Sequence, residues 1–244
     1  MSYQIKTIKA GNITVVKKYH CFKHQEPGTK RRIKENITPE AKQKLNISNA
    51  VDRLYYRLCA NFTEDDIFIT LKYNGAVNKT ISCKQVKTDV QRFIRLMRAE
   101  YKKEGKELKY ALSYGISEYN VRHVHLVVTG INQRIIMNCW KNTTAYAGRI
   151  TFEYLWSNYN YRGLAEYMVN NGISAVKYAS DVFHHFFICS RNMQKPTISI
   201  KTVENSSTFK NNSIKYEGYK IIKQKDGFDF FGFRYIEFIM QKIE

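Results

Sequence analysis

The chain has 244 residues, of which 40 are Lys or Arg and 21 are Asp or Glu, a formal net charge of +19. With 43% hydrophobic and 14% aromatic residues it carries enough apolar surface for a core, and with 3 prolines it is neither Pro-rich nor collagen-like. So large a positive excess repels itself and points to a polyanionic partner, nucleic acid ahead of a membrane surface.

Residues 1–62 read as a basic, largely helical segment. The run Lys30-Arg31-Arg32-Ile33-Lys34 follows Pro27-Gly28 in loop-like sequence, and Thr38-Pro39-Glu40 is a helix start with Thr38 as cap. A second helix is expected near Ala50–Cys59. The first clear strand is Ile67–Tyr73, just after the acidic run Glu64-Asp65-Asp66. An amphipathic helix follows from about Lys84 to Glu104, with Val86, Val90, Phe93, Met97 and Tyr101 at helical spacing and Gly105 closing it. Lys109–Glu118 and His123–Thr129 read as a β-hairpin joined at Tyr119–Arg122. Asn132–Lys141 reads as a short helix and Arg149–Tyr154 as a strand. Tyr161–Asn171 reads as a helix with Gly172 just past its end. From about 195 on, strand-like runs alternate with Asn/Ser/Gly clusters. The expected division is therefore 1–62, a central domain 63–190, and a β-rich extension 191–244.

No continuous apolar run occupies the N-terminal segment and none is long enough to cross a bilayer, so neither a signal peptide nor a membrane partner is expected. The cysteines (Cys21, Cys59, Cys83, Cys139, Cys189) are scattered and form no CxxC pair. Free thiols in a reducing cytoplasm are the expectation. No GxxxxGK[ST] occurs, so no nucleotide cofactor is expected.

The sharpest feature is His123-Val124-His125-Leu126-Val127-Val128. Alternation along a strand puts His123 and His125 on one face, with Cβ atoms roughly 7 Å apart, and turns Val124, Leu126 and Val128 to the core. Two imidazoles so placed can converge on one metal ion. Glu118, at the end of the partner strand, is the candidate third ligand, and two nitrogens with one carboxylate suit magnesium or manganese. In the helix Tyr161–Asn171, Leu164 and Met168 share a face. Gly163, Tyr167, Asn170 and Asn171 share another, so Tyr167 can project from a helix lying over the sheet.

These motifs together resemble those of the HUH endonucleases, and within them the rolling-circle replication initiators of plasmids and single-stranded DNA phages. The resemblance rests on Phe68-Ile69-Thr70-Leu71-Lys72-Tyr73, on His123-Val124-His125 with Glu118 upstream, and on Leu164-Ala165-Glu166-Tyr167, in that order. Softer matches are Asn61-Phe62 and Ser190–Pro196. Two positions depart from the pattern: Asn170 stands where many relatives have Lys, leaving Lys177 or another basic residue for that role. Gly163 stands where some phage initiators have a second tyrosine.

The resemblance implies an α+β fold, a central antiparallel sheet with helices packed on it, similar to the RNA-recognition type. It implies a single-tyrosine enzyme in which His123, His125 and Glu118 hold Mg²⁺ or Mn²⁺ and Tyr167 attacks a phosphate of single-stranded origin DNA. A 5′-phosphotyrosine and a free 3′-OH would result, the latter priming a host polymerase while a host helicase unwinds the DNA. Expected DNA contacts are Lys30, Arg31, Arg32, Lys72, Arg122, Lys177, Arg191 and Lys195, in the cytoplasm of a bacterial host. The competing readings are a single-tyrosine HUH transposase and a non-catalytic basic DNA-binding protein.

Overall fold

The computed structural model describes residues 2–21, 40–75, 77–156, 161–203, 216–228 and 232–243. The elements in chain order are β1 (Ser2–Ala10), β2 (Ile13–Cys21), α1 (Glu40–Asn61), β3 (Ile67–Tyr73), α2 (Val77–Thr80), α3 (Cys83–Lys103), β4 (Tyr110–Ile116), β5 (Arg122–Val128), α4 (Gln133–Lys141), β6 (Ala147–Tyr154), α5 (Arg162–Tyr178), β7 (Ile188–Cys189), β8 (Thr197–Val203), β9 (Tyr219–Phe228) and β10 (Arg234–Lys242). The fold is α+β, with two antiparallel five-stranded sheets among the described residues. None of the described helices is long and apolar enough to cross a membrane.

The chain divides into two units, residues 1–45 with 195–244, and residues 46–194. In the first, the sheet order is β8-β1-β2-β10-β9. The N-terminal segment, expected to be helical, begins instead with the β1–β2 hairpin. Its residues alternate polar and apolar, and Gly11 takes the positive φ of 57° at the tight turn pairing Ala10 with Ile13. Val16, Ile236, Phe238 and Met240 form this unit's small core. The strand-like tail thus finds its partners on β1 and β2.

The second unit, 46–194, has sheet order β6-β3-β5-β4-β7. Alternation sorts its strands cleanly. Ile67, Ile69, Leu71 and Tyr73 of β3, Leu112 and Tyr114 of β4, and Val124, Leu126 and Val128 of β5 are buried in one core cluster. Val86, Val90, Phe93 and Met97 of α3 and Ile136 and Trp140 of α4 complete it. Burying each such side chain stabilises by about 1.5–3 kcal/mol. Ser82 caps α3 by accepting from the Gln85 amide at 3.1 Å.

The other face of this sheet carries Thr70, Lys72, His123 and His125. The register pairs Thr70 with His125 and Lys72 with His123 on one side, and Ser113 with His125 and Gly115 with His123 on the other.

Two helical expectations need correction. The helices expected around Glu40 and Ala50–Cys59 are one continuous α1, because Asn46–Asn49 contains no breaker strong enough to interrupt it. And α5 does not end at Gly172 but runs on to Tyr178. Gly172 is a close-approach residue: a Cβ there would lie 1.8 Å from the Phe186 carbonyl oxygen. Asn61, softly matched by sequence, is structural. Its side chain donates to the Gln194 carbonyl at 2.9 Å and accepts from the Gln194 amide at 2.7 Å, clasping the end of α1 to the segment after β7.

Candidate active site

The strand β5 delivers its two histidines to one face, with ring centroids 4.8 Å apart. Room for His123 comes from Gly115, directly across the hairpin, since a Cβ there would lie 2.2 Å from His123 Nε2. His123 Nδ1 is 3.1 Å from the Val121 carbonyl oxygen, so it is the protonated nitrogen there, donating to that oxygen. His125 is fully buried, and its Nδ1 is 3.0 Å from the Thr70 hydroxyl. Phe68 stacks on the His125 ring at 5.6 Å and meets Tyr167 edge-on at 6.2 Å.

The helix α5 brings the third group. Leu164, Ala165, Met168 and Val169 bury one face, leaving Tyr167 half-exposed on the other. Its N-terminal turn is tied down by Arg162, whose Nη1 is 2.9 Å from Asp52 Oδ1 of α1 and whose Nε is 3.2 Å from Glu166 Oε1. Buried Tyr161 donates to the carbonyls of Phe62 and Trp156, each at 3.4 Å. So held, the Tyr167 hydroxyl lies 3.2 Å from His125 Nε2. Asn171, one turn on, donates through Nδ2 to the Tyr167 carbonyl at 2.9 Å and presents Oδ1 to His123 Nε2 at 3.0 Å.

Burial pushes the His125 imidazole down to about 3, and neighbouring His123 adds to the effect. His125 is therefore a neutral acceptor at physiological pH. Burial also raises the Tyr167 hydroxyl above its ordinary value. The Asn171 amide opposes this and the Glu153 carboxylate reinforces it. Tyr167 thus rests as a protonated phenol and needs help to act as a nucleophile.

The donors fit a divalent cation. With Nδ1 of His123 protonated, its Nε2 is an acceptor facing another acceptor, Asn171 Oδ1. Turning the amide over only moves the conflict to the Tyr167 carbonyl. A proton or a cation between the two lone pairs resolves it. Two imidazole nitrogens and one amide oxygen are a mixed N/O set suited to magnesium or manganese.

Glu118 is not part of this set. Among the described residues no three His, Cys, Asp or Glu side chains gather as a metal site. The hairpin's last pair is Ile116–Arg122. Glu118 lies beyond it in a turn closed by Asn120 N to Ser117 O at 2.8 Å, exposed and out of phase with His123 and His125.

The remaining basic candidates separate. Lys72 is exposed beside His123 and lines the cleft over the histidines. Arg122 is buried and its guanidinium is used internally. It donates to the carbonyls of Lys79 and Asn120 and to the Tyr178 hydroxyl, so it is no phosphate grip. Lys177 is exposed near the end of α5, about 15 Å along the helix from Tyr167, and does not line the cleft. Arg191 is exposed in the turn after β7, and Lys195 is exposed in the other unit. Lys30, Arg31 and Arg32 lie outside the described residues.

Residues 66–172 match the model of a family of replication-associated proteins, the ORF2 and phage gene-II-protein type. The matched stretch holds β3, the histidine hairpin and Tyr167, and it supports a replication-associated protein that acts on DNA. No curated protein and no solved structure matches the chain.

Sequence reasoning missed Asn171 as a partner of His123, although its place four residues after Tyr167 put it on the same helix face. It also missed Gly115. The signal was its register opposite His123 once the hairpin is drawn.

Proposed function

We propose that this protein nicks and rejoins single-stranded DNA at a replication origin by transesterification on Tyr167. The observation that carries the reading is the Tyr167 hydroxyl held 3.2 Å from Nε2 of a buried, neutral histidine on a two-histidine strand.

In this reading Tyr167 Oη attacks a backbone phosphorus. The new P–O(Tyr) bond replaces the P–O3′ bond, Tyr167 loses its proton, and the departing 3′ oxygen gains one. The products are a 5′-phosphotyrosine and a free 3′-OH, and reversal restores the strand without ATP. His123, His125 and Asn171, rather than Glu118, would hold a magnesium or manganese ion, which when bound supplies positive charge beside the scissile phosphate. Thr70 fixes the His125 ring by its contact at Nδ1. Lys72 places a cation on the same face for the phosphate oxygens. Phe68 shields one side of the reacting phenol from water. The 3′-OH would prime a host polymerase, with a host helicase opening the duplex.

The test is a denaturing gel of the protein with Mn²⁺ and single-stranded DNA from its own element's origin. A slowed band that vanishes in Tyr167→Phe and in His123→Ala/His125→Ala supports the reading. Cleavage that survives Tyr167→Phe overturns the covalent mechanism.

A further inference from the structure

We propose that the apolar half of the cleft beside Tyr167 is a stacking site for one unpaired DNA base, with Trp156 as its platform and the notch over Gly163 as its seat. This rests on the single-stranded DNA reading above and adds where the nucleotide next to the scissile phosphate goes.

The cleft has a volume of about 670 Å³, within the range of small-molecule sites. Its two sides differ in chemistry. Thr70, Lys72, His123 and His125 form a polar side suited to a phosphate, whereas Phe68, Leu164 and Trp156 form an apolar one suited to a ring. The chain has 2 tryptophans. Trp140 is a core residue at 1% exposure, while Trp156 is 52% exposed on the cleft wall. A large flat ring left half in water next to a reactive centre gains by covering its face, and every nucleobase offers a π-face to do so.

Gly163 is the second observation. It lies in the first turns of α5, four residues before Tyr167 and on the same face. A Cβ there would meet nothing within 4 Å, and its φ is not positive. Neither packing nor backbone conformation requires glycine, yet glycine weakens a helix interior. What its bare surface provides is free space between Tyr167 and Trp156 along the cleft. A base seated there would put its own phosphate toward the histidines.

The test uses the full chain in EDTA, so that no cleavage occurs. Tryptophan emission is followed while adding an oligothymidylate of about 20 nucleotides, long enough to span a single-stranded binding groove. The control is an abasic deoxyribose-phosphate oligomer of the same length and charge. Affinities come from the anisotropy of labelled oligomers. We expect quenching by the oligothymidylate alone. Trp156→Ala, and independently Gly163→Leu, which fills the notch, should weaken oligothymidylate binding by about tenfold and leave the abasic oligomer unaffected. Equal affinity of the wild type for both oligomers, or a preference for bases that survives both substitutions, overturns the proposal. If the Tyr167 adduct still forms in that case, the nicking reading stands without it. Quenching with no adduct on origin DNA would leave the stacking site and remove the nicking. Binding of neither oligomer removes both.

Discussion

The Tyr167 hydroxyl and a metal ion compete for the same lone pair, because Tyr167 Oη sits 3.2 Å from His125 Nε2 while Nδ1 of that ring faces Thr70. In the absence of a cation the phenol occupies the nitrogen that a cation would take. Metal loading and release of the nucleophile are then one event, which keeps the phenol parked until the site is armed.

Tyr167→Phe therefore has two opposite effects. The covalent adduct is lost, and Mn²⁺ binds more tightly, because one hydrogen bond of about 0.5–1.5 kcal/mol no longer has to be broken. That corresponds to roughly a two- to tenfold fall in the dissociation constant. Titration followed by the Mn²⁺ electron paramagnetic resonance signal checks it. Unchanged or weaker binding would show that Tyr167 and the cation do not share His125.

Gly115→Ala tests the hairpin register. The new Cβ would fall 2.2 Å from His123 Nε2, and the atom it meets is the end of a side chain rather than backbone. The ring can swing away at little cost to the fold, but not back to its place opposite Asn171. Nicking should fall by about a hundredfold or more, as misplacing a group by an ångström does. The melting temperature should change by only a few degrees. A variant that nicks at wild-type rate would show that His123 does not act from this position.

Much of this was legible in the chain. The strand Ile67–Tyr73, the hairpin and the long helix after Ser82 each carry a pattern of one period, so their faces could be assigned residue by residue. The N-terminal strands were not read, because Lys6, Lys9, Lys17 and Lys18 made 1–62 look like a basic tail. Their pairing is supplied by strands some 180 residues later (Thr197–Val203 and Arg234–Lys242), and no local signal announces that. Glu118 was misplaced for a related reason. Its distance from His123 in sequence is short, but the turn throws it past the last hydrogen-bonded pair. Gly172 was taken for a terminator because the Phe186 backbone that makes it necessary lies fourteen residues on.

His125 makes the fold sensitive to acid. In an unfolded chain its pKa is about 6.5, and in the fold burial pushes it down to about 3. Between these values the unfolded chain takes up a proton that the folded one refuses, so stability is lost as pH falls from about 6.5 toward 3. At pH 4.5, in EDTA, that loss is about 2–3 kcal/mol relative to pH 7. His125→Gln removes this contribution and should flatten the pH dependence of urea unfolding by that amount. Identical curves for the variant and the wild type would place the His125 proton uptake elsewhere.

Arg162 is a positioning residue for the tyrosine helix. Its guanidinium joins Asp52 of α1 at 2.9 Å, with both side chains largely covered, at 18% and 15% exposure, and also reaches Glu166 at 3.2 Å. A partly buried, charge-assisted bond of this kind is worth roughly 1–2 kcal/mol, above the range of a fully exposed pair. Asp52→Ala and Arg162→Ala should each destabilise by about that much, and the double variant by less than their sum. Because the bond acts one turn before Tyr167, the variants should also slow adduct formation while leaving affinity for single-stranded DNA unchanged in EDTA. Arg162→Lys keeps the charge but not the two-pronged contact, and should restore stability more fully than rate. Additive energies in the cycle, or a rate that tracks DNA affinity, would show that the bond does not orient the helix.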